Sequence, residues 1–291
     1  MSVFEKIVDV PDRIQHTETI GIGLSSWVQR LNAAAKCYKD IEERDRECAV
    51  YDRLGSGHPG IMRCYGTLDD RCLVLEFACH GSVRQYICSH HNIPLALKLR
   101  WVEQTTRAIA FLHSKNIFHC DISSNNVFLD ENLDAKVGDF SGSSLDGGDA
   151  LTWYETTHSH PDVSTPSVQS DVFALGSTFY EILSGKVPFE GMDSFAVAES
   201  FRAGRFPRLE SLPALGIVIE KCWRQQYHSV DELLQDVKRE GMFTMMSATL
   251  WLMPTSNCFT TPVQNKTALQ LGDTSHLNPS HRPGRVVDEI I

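Results

Sequence analysis

An α+β fold is what the sequence predicts, and three observations carry it. The first 80 residues break into short alternating runs with turn residues between them: TIGIG, WVQRLNAAAKCY, IMRCYGTL and CLVLEFA. One helical segment, about 41–54, interrupts those runs. Beyond residue 80, long helical patterns dominate. At 291 residues and 42% hydrophobic content the chain can bury one large core or two lobes sharing a cleft.

Each element has its own signal. In 94–113, Val102, Ile109 and Leu112 recur at helical spacing, and Pro94 suits a first turn. Segment 166–183 is apolar nearly all round in its second half, opens with Thr165 as cap and stops before Gly185, which predicts a buried helix. VFLDENLDAKV, 127–137, reads as strand, turn and strand. The run MFTMMSATLWLM, 242–253, is too short to span a membrane and is closed by Pro254, so it is expected to dock as an apolar patch or to fray. The polar end beyond it has too little periodic apolar content to fold alone.

Composition excludes several function classes. A net charge of -10 argues against nucleic acid, whose phosphates demand clustered Lys and Arg. Nine cysteines, odd in number and without a CxxC pair, predict reduced thiols and a cytoplasmic location, with the nucleus left open. MSVFEKIVDV has no basic region followed by an apolar core, so no secretory signal is expected.

The chemistry is concentrated in FHCDISSNN, 118–126, and GDFSG, 138–142. Asp121 and Asn126 precede the 127–137 hairpin and Asp139 follows it, so three oxygen-bearing side chains return to one place. An Asn and an Asp can hold Mg²⁺, a hard ion favouring oxygen ligands and nucleotide phosphates, while a separate Asp receives a hydroxyl proton. In IGIGLSSWV, Gly21 and Gly23 sit between strand-like runs, which a plain hairpin turn also explains. Lys36 points to one face of its strand, and Glu47 shares a helix face with Tyr51 and Leu54. A buried acid is costly unless paired, so a Lys36–Glu47 ion pair is expected.

This ordered set resembles the eukaryotic-type protein kinase family over residues 14–241. The resemblance implies a bilobal fold, with a small antiparallel β lobe carrying one helix (14–78) and a larger, mostly helical lobe (79–241). Residues 1–13 are then an extension and 242–291 a tail expected to be largely disordered. It also implies ATP and Mg²⁺ as cofactors and a protein substrate, probed through Asp121 as catalytic base with Lys36 and Glu47 as the phosphate-holding pair. Ile20, Gly21, Gly23, Val28, Ala34, Lys36, Glu76, Ala78 and Phe128 are the implied nucleotide contacts, and Asn126 and Asp139 the metal ligands. Asp171 resembles the acid that anchors the catalytic loop, and His119 a core histidine packed with Phe140, Tyr51 and Cys64.

Departures accompany the matches. Ser26 replaces the third loop glycine, and Cys120 stands where most of the family has Arg. Ser123 and Asn125 occupy the places of the usual basic residue, and Ser141 follows Asp139 and Phe140. HPD, 160–162, replaces Ala-Pro-Glu, with Arg224 the candidate partner of Asp162. Ser/Thr acceptors are the base-rate choice. The alternatives are an ATP-binding pseudokinase or scaffold with little transfer activity, and a small-molecule phosphotransferase. No membrane span is expected, and oligomeric state stays open.

Overall fold

A computed structural model of the chain describes residues 19–22, 27–29, 32–55 and 57–251, with side chains described from 32 to 246. The expectations for residues 1–13, for Gly23 and Ser26, and for the end beyond residue 251 lie outside the described residues.

The first part of the chain is β-rich. Strands β1 (Thr19–Ile22) and β2 (Trp27–Gln29) form an antiparallel pair in which Gly21 faces Val28. Strand β3 (Ala33–Cys37) is followed by helix α1 (Ile41–Leu54), β4 (Cys64–Thr67) and β5 (Cys72–Glu76). The three strands form an antiparallel sheet in the order β3-β5-β4. α1 has the predicted bounds because its ends are chemically marked. Asp40 caps it by accepting from the Glu42 N–H, Glu42 and Glu43 suit the positive helix start, and Gly55 ends it at φ 65°.

The register corrects one expectation. Cys37 lies directly opposite Cys72 across β3 and β5, and the two form a disulfide. The cysteines are therefore not all reduced thiols. The physical reason is strand pairing, which brings residues 35 apart in sequence to a Cα separation of 4.1 Å.

After residue 80 the chain is mostly helical: α2 (Val83–Ser89), α3 (Leu95–Ser114), α4 (Val168–Ser184), α5 (Ser194–Arg202), α6 (Gly216–Trp223) and α7 (Val230–Trp251). Between α3 and α4 run the short strands β6 (Ile117–Phe118), β7 (Val127–Leu129), β8 (Ala135–Val137) and β9 (Ser144–Leu145), paired β7 with β8 and β6 with β9. α3 fixes the β7–β8 hairpin with side chains. Trp101 Nε1 donates to the Leu133 carbonyl, and Gln104 donates to Asp134 while accepting the Ala135 N–H.

α4 is the central helix. From Ser170 to Leu183 every residue except Tyr180 is buried, as its apolar run predicts. It begins two residues later than expected, because Ser167 makes a reciprocal capping box with Ser170, while Thr165 lies before Pro166 and outside the turn. Gly185 closes it in the left-handed region. Gly176 permits the close approach of α6: a β-carbon there would sit 2.6 Å from Cys222 Cβ, and the neighbouring Trp223 Nε1 donates to Ser177.

The expected docking of 242–253 is not observed over 242–246. α7 continues through Gly241, and Met242, Phe243 and Met246 are all more than 60% exposed. Helix propensity carries the segment straight on where an apolar run had suggested burial. Among the described residues no helix is long and apolar enough to cross a membrane.

The α4–α6 contact gives a stability test. Gly176→Ala should destabilise the protein by about 1–3 kcal/mol, because overpacking forces two buried helices apart. A urea midpoint equal to that of the wild type would contradict this packing.

Candidate functional site

The site begins with the alternation of β3. Lys36 and Tyr38 share one face, and Ala34, exposed, lies on it too. The Lys36 ammonium donates to Glu47 Oε2 at 2.6 Å and to Asp139 Oδ1 at 2.7 Å. Tyr38 donates its hydroxyl to the same Glu47 oxygen. Glu47 is fully buried on α1, so this pairing is what permits a carboxylate there. The predicted Lys36–Glu47 pair is present, and the metal-ligand candidate Asp139 joins it.

The second group lies between β6 and β7. Asn126 donates its amide to both the backbone carbonyl and Oδ2 of Asp121, each at 2.8 Å. With Nδ2 committed, the oxygen Oδ1 of Asn126 is the end turned to other partners. Asp139 follows β8 at φ 64°, and Ser141, standing where the resemblance expects glycine, donates to its Oδ1 at 2.9 Å. That serine steadies the acid.

Asp121 and Asp139 are shifted in opposite directions. Burial raises the Asp121 carboxyl above the usual range, partly opposed by His119 and the Asn126 hydrogen bond, and the charges of Asp139 and Glu155 add to the rise. Burial would raise Asp139 as well, but Lys36 outweighs it and holds this carboxyl below the usual range. Lys36 in turn is raised: burial alone would lower it, and Glu47 and Asp139 prevail.

Asp171, fully buried on α4, anchors the loop as expected. Its Oδ2 accepts the His119 N–H at 3.0 Å and faces His113 Nε2 at 2.7 Å, while Oδ1 accepts the Cys120 N–H at 3.2 Å. His119 is a buried core residue: its Nε2 is 3.1 Å from the Gly138 carbonyl, and its ring packs on Phe140, which packs on Tyr51. Cys120 is buried, and burial together with Asp171 pushes its thiol up to about 12.

The remaining predicted residues line the path from β5 to β7. Glu76 ends β5, where its side chain takes Lys136 and the Arg63 N–H. The Ala78 carbonyl accepts the Gly81 N–H, and Leu129 and Gly81 tie that turn to β7. Phe128, half-buried, pairs with Ser82, and its ring lies 3.2 Å from where a β-carbon on Gly138 would stand. For Ile20, Gly21 and Val28 only the strand backbone is described. Ser123 faces inward: it is 1% exposed, and its hydroxyl accepts the Asn125 N–H.

One expected partner is corrected. Arg224 pairs with Glu220, one helical turn away, and lies over Phe206; Asp162 is met by Arg202 at the end of α5. A charge cluster was missed altogether. Arg84 on α2 donates to both oxygens of Glu181 on α4 and both oxygens of Glu155, and its backbone N–H reaches the Ser124 carbonyl. Buried His158 completes it, 3.5 Å from Glu181. Arg46 on α1 also reaches the carbonyls of Ser143 and Asp149. No local spacing announces these contacts; the Arg84 and Arg46 side chains join residues 71 to 103 apart.

Residues 28–240 match a family model described as protein kinase domain. A sucrose non-fermenting protein kinase 1 of Fusarium virguliforme is 25% identical over 80% of this chain and 35% of its own length. A serine/threonine/tyrosine-protein kinase of Arabidopsis thaliana is 28% identical over 62% of this chain and 49% of its own. A tyrosine-protein kinase of Mus musculus is 28% identical over 67% and 18% respectively. The chain thus spans half or less of the length of these relatives.

The Arg84 cluster makes a pH prediction. Burial would raise the Glu181 carboxyl, but His158 and Arg84 outweigh it and lower it from 4.5 to about 2. A depressed acid contributes stability that is fully present above its unfolded value and lost as pH falls through the folded one. Unfolding free energy should therefore fall between about pH 4.5 and 2. In Glu181→Gln that part of the slope should flatten, as measured by urea unfolding across the pH range; an identical slope would refute the pairing.

Proposed function

Because the chain belongs to the protein kinase domain family, we propose that it is a bilobal protein kinase transferring the γ-phosphoryl group of Mg-ATP to a protein hydroxyl, with Ser or Thr the favoured acceptor. The observation that carries this reading is a pair of contact sets, Lys36 with Glu47 and Asp139, and Asp121 with Asn126, which meet where the Gly138 N–H, next to Asp139, donates to the Asn126 carbonyl.

The donor set suits the cofactor. Asp139 and the free oxygen of Asn126 are hard ligands, and among the described residues no group of three or more His, Cys, Asp or Glu forms an all-protein metal cage. Two protein ligands plus nucleotide phosphates are the usual surroundings of Mg²⁺. When bound, the ion supplies neutralisation of phosphate charge. Lys36, oriented by Glu47, adds a fixed positive charge beside the phosphates. Glu76 and Ala78 offer backbone groups to adenine, with Ile20, Val28, Ala34 and Phe128 as apolar contacts and Gly21 and Gly23 allowing a close backbone approach.

Asp121 acts on the acceptor. Its raised carboxyl suits it to receive the hydroxyl proton, and Asn126 holds one of its oxygens while the other stays available. The absence of a basic side chain at Ser123 costs on the order of 2 to 3 kcal/mol in the transition state, or roughly a hundredfold in rate, which leaves a slow enzyme.

The second reading, an ATP-binding pseudokinase or scaffold, is favoured by two observations. Lys36 and Asp139 are bound to each other, and Ser123 is turned inward. The relatives are named for Ser/Thr, for Ser/Thr/Tyr and for Tyr, so Ser/Thr is the base-rate choice. We place the kinase domain at 14–241, divided at 78, in the cytoplasm or nucleus, with a protein substrate and no nucleic-acid partner. Six described free cysteines support that location, and the Cys37–Cys72 bond weighs against it.

The test compares wild type with Asp121→Asn. Both should bind Mg-ATP with similar affinity, and only the wild type should move phosphate from γ-labelled ATP to protein. Equal transfer by both, or none by the wild type with Mg²⁺ or Mn²⁺ across many substrates, would favour the scaffold.

A further inference from the structure

The segment 151–158 lies beyond the Asp139 loop and supplies none of the nucleotide, metal or acceptor contacts proposed above, yet it reaches the groups that hold the catalytic loop. Tyr154 is 6% exposed. Its hydroxyl donates to Asp171 Oδ1, the same oxygen that accepts the Cys120 N–H, and it also lies 3.0 Å from Ser170 Oγ. Burial and Asp171 raise this hydroxyl well above its usual range, so it stays a donor. The next residue, Glu155, is gripped by the Arg84 fork, and the Arg84 N–H donates to Ser124 in the catalytic loop itself.

The backbone explains why such a grip matters. Cys120 sits at φ 66°, a conformation that non-glycine residues rarely hold without support, and it immediately precedes Asp121. Asp171 provides that support, and Tyr154 fixes the oxygen through which it does so.

Resting on the phosphotransferase reading, we infer that Tyr154 is a positioning residue: its hydroxyl locks Asp171, and through it the Cys120–Asp121 peptide, joining segment 151–158 to the catalytic loop without a phosphate. An arginine at position 120 would call for a phosphorylated partner on the loop. Here the position holds a buried thiol, and a tyrosine from the loop contacts the anchoring acid directly. Turnover then depends on the Tyr154 hydroxyl and not on modification of Thr152, Thr156 or Thr157.

The experiment uses the full chain as wild type, Tyr154→Phe and the triple Thr152→Ala, Thr156→Ala, Thr157→Ala variant. Mg-ATP affinity, kcat and KM with a generic protein substrate, and amide hydrogen exchange at His119 and Cys120 are measured on each. Tyr154→Phe should keep ATP affinity and KM for ATP within about twofold, lose about tenfold in kcat, and exchange the two amides about tenfold faster, the size expected for one charge-assisted hydrogen bond. The triple variant should match the wild type in kcat. Wild-type kcat and exchange in Tyr154→Phe would overturn the inference, as would ATP affinity falling in step with kcat, which marks a merely structural role. A collapse of kcat in the triple variant that acidic replacements restore would overturn it too. If wild type moves no phosphate, the phosphotransferase reading fails on its own, and exchange decides: faster in Tyr154→Phe sustains the positioning role, unchanged overturns it. If Tyr154→Phe does not fold, Glu155→Gln, at a half-buried site, loosens the same segment from Arg84. It should speed exchange at the same amides by a smaller factor, and unchanged exchange would overturn the inference.

Discussion

One buried carboxylate, Asp171, receives hydrogen bonds from four directions, and the acid–amide loop depends on it. Two come from loop amides, at His119 and Cys120, one from the Tyr154 hydroxyl, and His113 supplies the fourth contact. Burial alone would raise the Asp171 carboxyl, but His113 and Tyr154 outweigh it and keep it low, so the group remains an anion inside an apolar helix. The backbone it holds is strained: a left-handed non-glycine residue such as Cys120 costs about 1–3 kcal/mol and persists only where its surroundings over-determine it. Without this acid the turn that presents Asp121 has no reason to stay.

From that fixed turn the division of labour between two carboxylates follows. Asp121 and Asp139 are both partly buried, yet one is raised and the other lowered. The difference is Lys36, 2.7 Å from Asp139 and not bonded to Asp121. On the proposed phosphotransfer reading, two acids pushed apart in this way would separate the proton acceptor from the charge-binding group. Ser141 reinforces the split by donating to the lowered acid.

Much of this was legible from the sequence because it rests on local pattern. The alternation of β3 placed Lys36, helical spacing placed Glu47, and the 127–137 hairpin returned Asp139 to Asp121 and Asn126. α1 matched its expected bounds because its caps are local signals, whereas α4 starts at Val168 because Ser167, and not Thr165, caps it. What could not be read depends on register and long-range packing. The Cys37–Cys72 bond needs the β3–β5 pairing, and Arg84 finds Glu181 across 97 residues. Arg224 was misassigned because a local i,i+4 acid, Glu220, captures it, leaving Asp162 to Arg202. Tyr154 gave no signal, since an aromatic in a polar loop does not reveal which buried acid it will meet.

The most direct test of the anchoring claim is amide hydrogen exchange across residues 119–126 in Asp171→Asn, compared with wild type under conditions where both are folded. Asparagine keeps the shape but loses an acceptor oxygen and the charge, so protection of this loop should collapse while that of α3 and of the β7–β8 hairpin is kept. Unchanged protection over 119–126 would show that the loop holds its conformation without the carboxylate, and would contradict the account.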